Sequence, residues 1–246
     1  LEAVDINCDF GEDYGIYKIK DDANLLKYVD SVNIACGFHA SDPSNMRKAV
    51  EAAIQYGVNI GAHPGYPDIV GFGRREMNLS KDEIYDIVLY QIGALDAFVK
   101  KFGKRLHHVK PHGALYNKAA LCEKTSEAIA DAVRDYSKDL ILYALANSVT
   151  EQVAQKKGLT VWAEAFVDRT YEEDGKLTPR TIMNSVISEP QYATEQFQQI
   201  VNESYVTTRQ QSTYLIKADT FCIHGDNEAA IDILQSIRKT MPKSGA

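Results

Sequence analysis

The feature that most constrains this chain is a repeated local grammar. A short apolar run of β type stops at a polar turn bearing glycine, and helix-compatible sequence follows. HHVKPHGALYN at 107–117 shows it best. DINCDFGE at 5–12, NIACGFHASD at 33–42, NIGAHPGYP at 59–67 and FCIHGDN at 221–227 repeat it. Strands are expected over 4–8, 31–36, 58–62, 105–110, 140–145, 159–166 and 220–224, with helices between them. Asp42-Pro43 supplies a cap and a first-turn proline, Met46, Val50, Ala53 and Ile54 follow at helical spacing, and Gly57 stops that helix. Ser80-x-x-Glu83, Ser148-x-x-Glu151 and Ser188-x-x-Gln191 read as capping boxes that open three more, and 227–241 is the last.

Strand and helix alternating seven times imply parallel strands joined by helical crossovers. Such strands are buried on both faces, which suits their continuous apolar character. No linker or low-complexity segment divides the chain. The expectation is an α/β protein, a seven-stranded TIM-like (β/α) barrel forming one domain over residues 1–246.

In such barrels the loops after the strands carry the chemistry. Four of the six histidines, His39, His63, His112 and His224, fall in those turns. Asp9, Glu12, Asp42, Lys110, Glu164, Asp168 and Asp226 fall there too. Carboxylates converging with imidazoles serve as general acid and base, or hold a metal. Asp9, Glu12, His39, His63, Lys110, His112 and His224 are therefore the catalytic candidates. Asn7, Arg74, Arg75, Glu164, Arg169 and Asp226 are candidates for binding substrate or phosphate, the arginines because guanidinium clamps anions. A metal, if present, would take Asp9, His39, His63 and His112, one ligand per strand, since no H-x-x-H or H-E-x-x-H element occurs. No P-loop or dinucleotide fingerprint occurs either. His107 and His108 precede the strand end and receive no role.

Charge excludes some partners. Thirty-four acidic against 27 basic residues give a net charge of −7, so nucleic acid and an anionic membrane surface are not expected partners. No apolar run approaches membrane length and no secretory signal is seen. Four cysteines without C-x-x-C spacing suggest a reduced, cytoplasmic protein without disulfides.

Together the segments DINCDFGE, NIACGFHASDP, GVNIGAHPGYPDIVGFGRREM, YQIGAL, HVKPHGALYN, EAFVDRTYEEDGKLTPR and CIHGDN resemble the LamB/YcsF family, the A subunits of 5-oxoprolinase. They run in the family's order over residues 5–227. Cys8, Ser41 and Thr170 stand where Ala, Gly and Arg are commoner in the family. The resemblance implies a barrel of the glycoside hydrolase/deacetylase type and ATP-dependent opening of 5-oxo-L-proline to L-glutamate. It also implies work alongside subunits B and C, with ATP and a divalent metal (Mg with ATP, or a site metal) as cofactors. A lactam resists attack because amide resonance must be broken, so phosphorylating its oxygen would activate it. Asp9 or Glu12 is then expected as base, with His39 or His63 alongside. Lys110 and His112 would stabilise negative charge, and His224 would act as acid or orienter. Two alternatives stay open: a metal-dependent, deacetylase-like amide hydrolase, and a non-catalytic substrate-binding subunit.

Overall fold

Every residue of β1 (Asp5–Phe10) and β2 (Ser31–Ala35) is buried, the burial of strands covered on both faces. In the computed structural model, which describes residues 4–18, 23–225 and 227–241, they continue into β3 (Asn59–His63), β4 (His108–Val109), β5 (Ile141–Leu145) and β6 (Thr160–Phe166). β7 (Tyr205–Thr207) and β8 (Thr213–Leu215) form a separate antiparallel hairpin, and β9 (Thr220–Ile223) returns to the main sheet. The order β1-β2-β3-β4-β5-β6-β9 is parallel throughout. It closes into a barrel because β9 pairs with both β6 and β1. The seven-stranded (β/α) barrel expected from the sequence is the fold observed.

The helices form where the local chemistry directs. In α1 (Pro43–Tyr56) Asp42 Oδ1 accepts from the backbone N–H of Ser44 and Asn45 at 2.8 and 3.2 Å, and Gly57 ends the helix in the left-handed region at φ 67°. In α2 (Lys81–Lys101) the Ser80–Glu83 capping box is complete, and Ile84, Val88, Ile92, Leu95 and Val99 bury one face. α3 (Gly113–Ala119), α4 (Glu123–Tyr136), α5 (Val149–Lys156), α6 (Pro190–Glu203) and α7 (Ala230–Thr240) complete the set.

Some boundaries differ from expectation. β4 shrinks to two residues, although the flanking His107 and Lys110 N–H groups still donate to the Ile60 and Ala62 carbonyls at 2.8 and 2.9 Å. α6 opens on Pro190 without a side-chain cap, so Ser188 and Gln191 form no capping box. At α5 Ser148 accepts from the Glu151 N–H, but the Glu151 carboxylate turns to the Asn147 N–H at 2.7 Å. The β7–β8 hairpin has no counterpart in the sequence reading.

The inside of the barrel is polar. On β1 Ile6, Cys8 and Phe10 alternate with Asp5, Asn7 and Asp9, so the second set lines the interior as a column. Asp5 accepts from Ser31 Oγ at 2.5 Å, Thr220 Oγ1 at 2.6 Å and Tyr143 Oη at 3.2 Å. Asn7 and Asp9 both accept from Asn33 Nδ2, at 2.7 and 2.9 Å. His108 is wholly buried, stacks on Tyr143 with centroids 3.9 Å apart and meets Asn33 Oδ1 at 2.7 Å. Its ring fills the space beside Gly61, where a Cβ would lie 2.1 Å from His108 Nε2. Among the described residues no helix is long and apolar enough to cross a membrane. Cys8, Cys36, Cys122 and Cys222 are free thiols.

Candidate active site

The polar column opens at the C-terminal end of the strands into a cavity of about 510 Å³. Asp9 sits at the junction. Its Oδ1 accepts from Asn33 Nδ2 at 2.9 Å and Lys110 Nζ at 3.3 Å, and lies 3.4 Å from His63 Nε2. Burial alone would raise the Asp9 pKa, but the charges of His63 and Lys110 outweigh it and hold the carboxyl well below its ordinary value. Asp9 is thus a fixed anion.

Lys110, from the end of β4, is 3% exposed. It lies 2.9 Å from Glu164 Oε1, donates to Asn7 Oδ1 at 3.3 Å and approaches Cys222 Sγ at 2.9 Å. Burial opposes its charge, yet Asp9, Cys222 and Glu164 raise its pKa well above the ordinary lysine value. Glu164 is wholly buried and also accepts from Tyr116 Oη at 2.7 Å and Asn7 Nδ2 at 3.0 Å. Every member of this network is satisfied, as buried charge requires.

Three imidazoles from three strand ends pack together. His63 and His112 meet edge to face with centroids 4.8 Å apart, while His39 stacks flat on His112 at 3.7 Å. Glu12 Oε1 lies 3.2 Å from His39 Nε2 and 3.7 Å from His112 Nδ1. Burial is the largest cause that holds the His39 and His112 pKa values well below the ordinary imidazole value, followed by repulsion from neighbouring rings. Gly73 closes over this group. At φ 62° its backbone comes so near that a Cβ would lie 2.7 Å from His39 Cβ and 2.8 Å from His112 Cδ2.

On the opposite wall, His224 Nδ1 lies 3.0 Å from Asp168 Oδ1. Asp168 also accepts from the His224 backbone N–H at 3.1 Å and Asn227 Nδ2 at 3.3 Å. Burial would raise the Asp168 pKa, but interaction with His224 lowers it below the usual carboxylate value. A histidine whose Nδ1 is tied to a buried carboxylate presents Nε2 for proton transfer.

The structure brings Asp9, Glu12, His63, Lys110, His112 and His224 around one cavity, with His39 stacked behind His112. Asn7 and Glu164 lie in the column beneath Asp9 and Lys110. Arg74 and Arg169 line the cavity mouth with Lys176 and Arg180. Arg169 is held by the carbonyls of Ser185 and Thr178 at 3.1 and 2.5 Å, and burial, then Arg180, pushes its pKa down to about 10. Arg75 lies outside the cavity, bound to Asp68. Asp226 falls outside the described residues. Asn33, His108, Tyr116 and Lys176 received no role from the sequence. The alternation Asp5, Asn7, Asp9 within an apolar strand was the available signal for the interior column, and nothing local marks Tyr116 or Lys176.

Two kinds of comparison bear on the chain. The sequence model of the LamB/YcsF family matches residues 4–246. A curated relative from Bacillus thuringiensis subsp. konkukian (strain 97-27), named as the A subunit of 5-oxoprolinase, is 50% identical over 246 residues, covering 100% of this chain and 97% of that protein. Among solved structures, the lactam utilization protein from Thermus thermophilus superposes with a TM-score of 0.91 at 45% identity, covering 97% of each chain. A GH113 β-1,4-mannanase superposes with a TM-score of 0.54 at 10% identity over 97% of this chain and 99% of that one, a likeness of fold alone.

Proposed function

The chain belongs to the LamB/YcsF family, and from that premise we propose that it is the A subunit of a 5-oxoprolinase. In this reading it opens 5-oxo-L-proline to L-glutamate with hydrolysis of ATP, in company with subunits B and C. The observation that carries the reading is the meeting of a fixed carboxylate, a carboxylate-oriented histidine and a cationic mouth in one cavity, in a chain so similar over its whole length to a protein of that name.

The chemistry needs those parts. The lactam oxygen takes the terminal phosphoryl group of ATP, and ADP leaves. Water then adds to the activated ring carbon and gives up a proton. The ring nitrogen accepts a proton and the C–N bond breaks, leaving an acyl phosphate. A second water hydrolyses that to the glutamate side-chain carboxylate and phosphate. Asp9, 3.4 Å from His63 Nε2, orients the attacking water and, together with that imidazole nitrogen, accepts its proton. His224 Nε2, oriented by Asp168, delivers the proton to the ring nitrogen. Arg74, Lys176 and Arg180 at the mouth face the substrate carboxylate and the phosphates with complementary charge. Lys110, engaged with Asp9 and Glu164, fixes the charge beneath the reacting carbon.

The test is glutamate release from 5-oxoproline in an extract of the source organism lacking this gene and containing the partner subunits. Glutamate that depends on both ATP and the added chain supports the reading; none above background removes it. A second reading, metal-dependent hydrolysis of an amide without ATP, is favoured by the cluster of Glu12 with His39, His63 and His112. Amide cleavage by the purified chain without ATP, abolished by a chelator, would select it.

A further inference from the structure

The strand ends that face the cavity are of two kinds. β1, β3, β4 and the turn after β9 present Asp9, His63, Lys110 and His224. β5 and β6 end instead in Leu145 and Phe166, both buried. Ala120 and Leu121, at the end of α3, and Leu177 and Pro179, from the loop after β6, complete an apolar wall. Phe166 starts that wall at the reacting floor, for Lys110 Nζ lies 5.2 Å from its ring centroid and the His224 ring stacks on it at 5.4 Å. Leu121, 61% exposed, ends it at the outer edge.

The wall is preformed. The Val149 N–H donates to the Ala120 carbonyl at 3.0 Å and ties the end of α3 to the start of α5. In the loop after β6 the Thr178 N–H donates to the Thr170 carbonyl at 2.9 Å, and the Thr178 carbonyl accepts from Arg169 Nη2 at 2.5 Å. Gly175 of the same loop lies against β8, where a Cβ would meet the Tyr214 ring at 2.2 Å. A fixed apolar surface binds an apolar group at little ordering cost. The cavity of about 510 Å³ is of the size that encloses a drug-sized ligand, far more than one five-membered ring with a carboxylate fills. Arg74, Lys176 and Arg180 are exposed at its mouth, while Asp9, His63 and Lys110 are buried at its floor. A ligand that spans it has a lactam at the floor, an apolar group along the wall and an anion at the mouth.

We propose that the cavity also admits short peptides that begin with 5-oxoproline, above all dipeptides whose second residue is apolar, and that their ring is opened to give the glutamyl peptide. The proposal rests on the 5-oxoprolinase reading and widens the substrate class of the same site. The lactam oxygen takes the terminal phosphoryl group of ATP, and water adds to the ring carbon. The C–N bond breaks, the nitrogen leaves with a proton as the peptide's new terminal amine, and a second water releases phosphate. The second side chain lies along Leu121, Leu145 and Leu177, and the peptide carboxylate extends toward the cations of the mouth. The enzyme assembled with its partner subunits is given ATP with 5-oxo-L-proline, 5-oxo-L-prolylglycine or 5-oxo-L-prolyl-L-leucine, and the glutamyl products are followed by mass spectrometry. Glutamyl-leucine is expected, with kcat/KM at least about 10-fold above that of the glycine dipeptide, the gain from burying a leucine side chain. Leu121→Ser should cut this preference at least about 3-fold, a ratio that a loss of folded enzyme does not alter. Turnover of 5-oxoproline with none of the leucine dipeptide overturns the proposal and leaves the 5-oxoprolinase reading standing; turnover of none of the three removes both. A Leu121→Ser enzyme that keeps the leucine preference but shows a raised KM for ATP would give the wall to the nucleobase, and that also overturns the proposal.

Discussion

His224 and Asp168 form a buried dyad in which His224 Nδ1 stands 3.0 Å from one carboxylate oxygen and 3.2 Å from the other. The pairing decides which ring nitrogen is left for the cavity. Replacing Asp168 by Asn offers that nitrogen an amide instead of an anion and permits the wrong tautomer. Asp168→Asn is expected to lower kcat for 5-oxoproline opening in the assembled enzyme by at least about 100-fold with KM little changed. Steady-state kinetics on the folded variant checks this, and an unchanged kcat removes the dyad from the reaction.

Lys110 neutralises two buried carboxylates at once, Asp9 at 3.3 Å and Glu164 at 2.9 Å. Lys110→Met leaves both without their cation and is expected to cost about 3–5 kcal/mol in denaturant unfolding. Adding Glu164→Gln removes one of the stranded charges, so the double variant should be more stable than Lys110→Met alone. Equal or lower stability of the double variant would show that Glu164 is balanced elsewhere.

At the base of the column burial pushes the Asp5 pKa up to about 6 despite the hydroxyls of Ser31 and Thr220. The folded protein then holds a proton on Asp5 over a range where the unfolded chain, with a carboxyl near its ordinary value of 3.8, has lost it. Asp5 therefore contributes stability that is fully present below that lower value and is lost as pH rises through about 6. The amount is on the order of 3 kcal/mol. The difference in unfolding free energy between wild type and Asp5→Asn should fall along this limb, measured by urea denaturation from about pH 4 to 7. A flat difference would place the Asp5 pKa near that of an exposed carboxyl.

The elements that were legible in the sequence are those set by local chemistry. Asp42-Pro43 with Gly57, and Ser80 with Glu83, bound their helices as read, because a cap is satisfied by atoms two or three residues away. The strand ends at His39, His63, His112 and His224 were legible because turn chemistry interrupts apolar runs. What escaped depends on the closed barrel. His108 looks like one of a surface-prone pair until closure packs it beside Gly61 and onto Tyr143. Tyr116 reaches Glu164 from 48 positions away, and Lys110 is committed to partners on three other strands. The β7–β8 hairpin is three residues on each side, too short to carry a periodic signal.

The closeness of Gly61 to His108 gives a sharp packing test. A methyl group at position 61 would collide with the His108 ring, and the ring cannot retreat because it stacks on Tyr143 at 3.9 Å. Gly61→Ala is expected to destabilise the protein by about 3 kcal/mol or more. Calorimetric melting decides it; an unchanged melting temperature would mean that His108 has another place to go.

Asp9 joins the polar column to the cavity, and the proposed reaction depends on its carboxylate. The most direct measurement is ATP-dependent glutamate formation from 5-oxoproline by the chain assembled with its partner subunits, wild type against Asp9→Asn. Wild type is expected to form glutamate only with ATP, while Asp9→Asn folds and assembles yet falls at least about 100-fold in turnover. Wild-type turnover in the assembled variant would contradict that role and move the chemistry to the partner subunits.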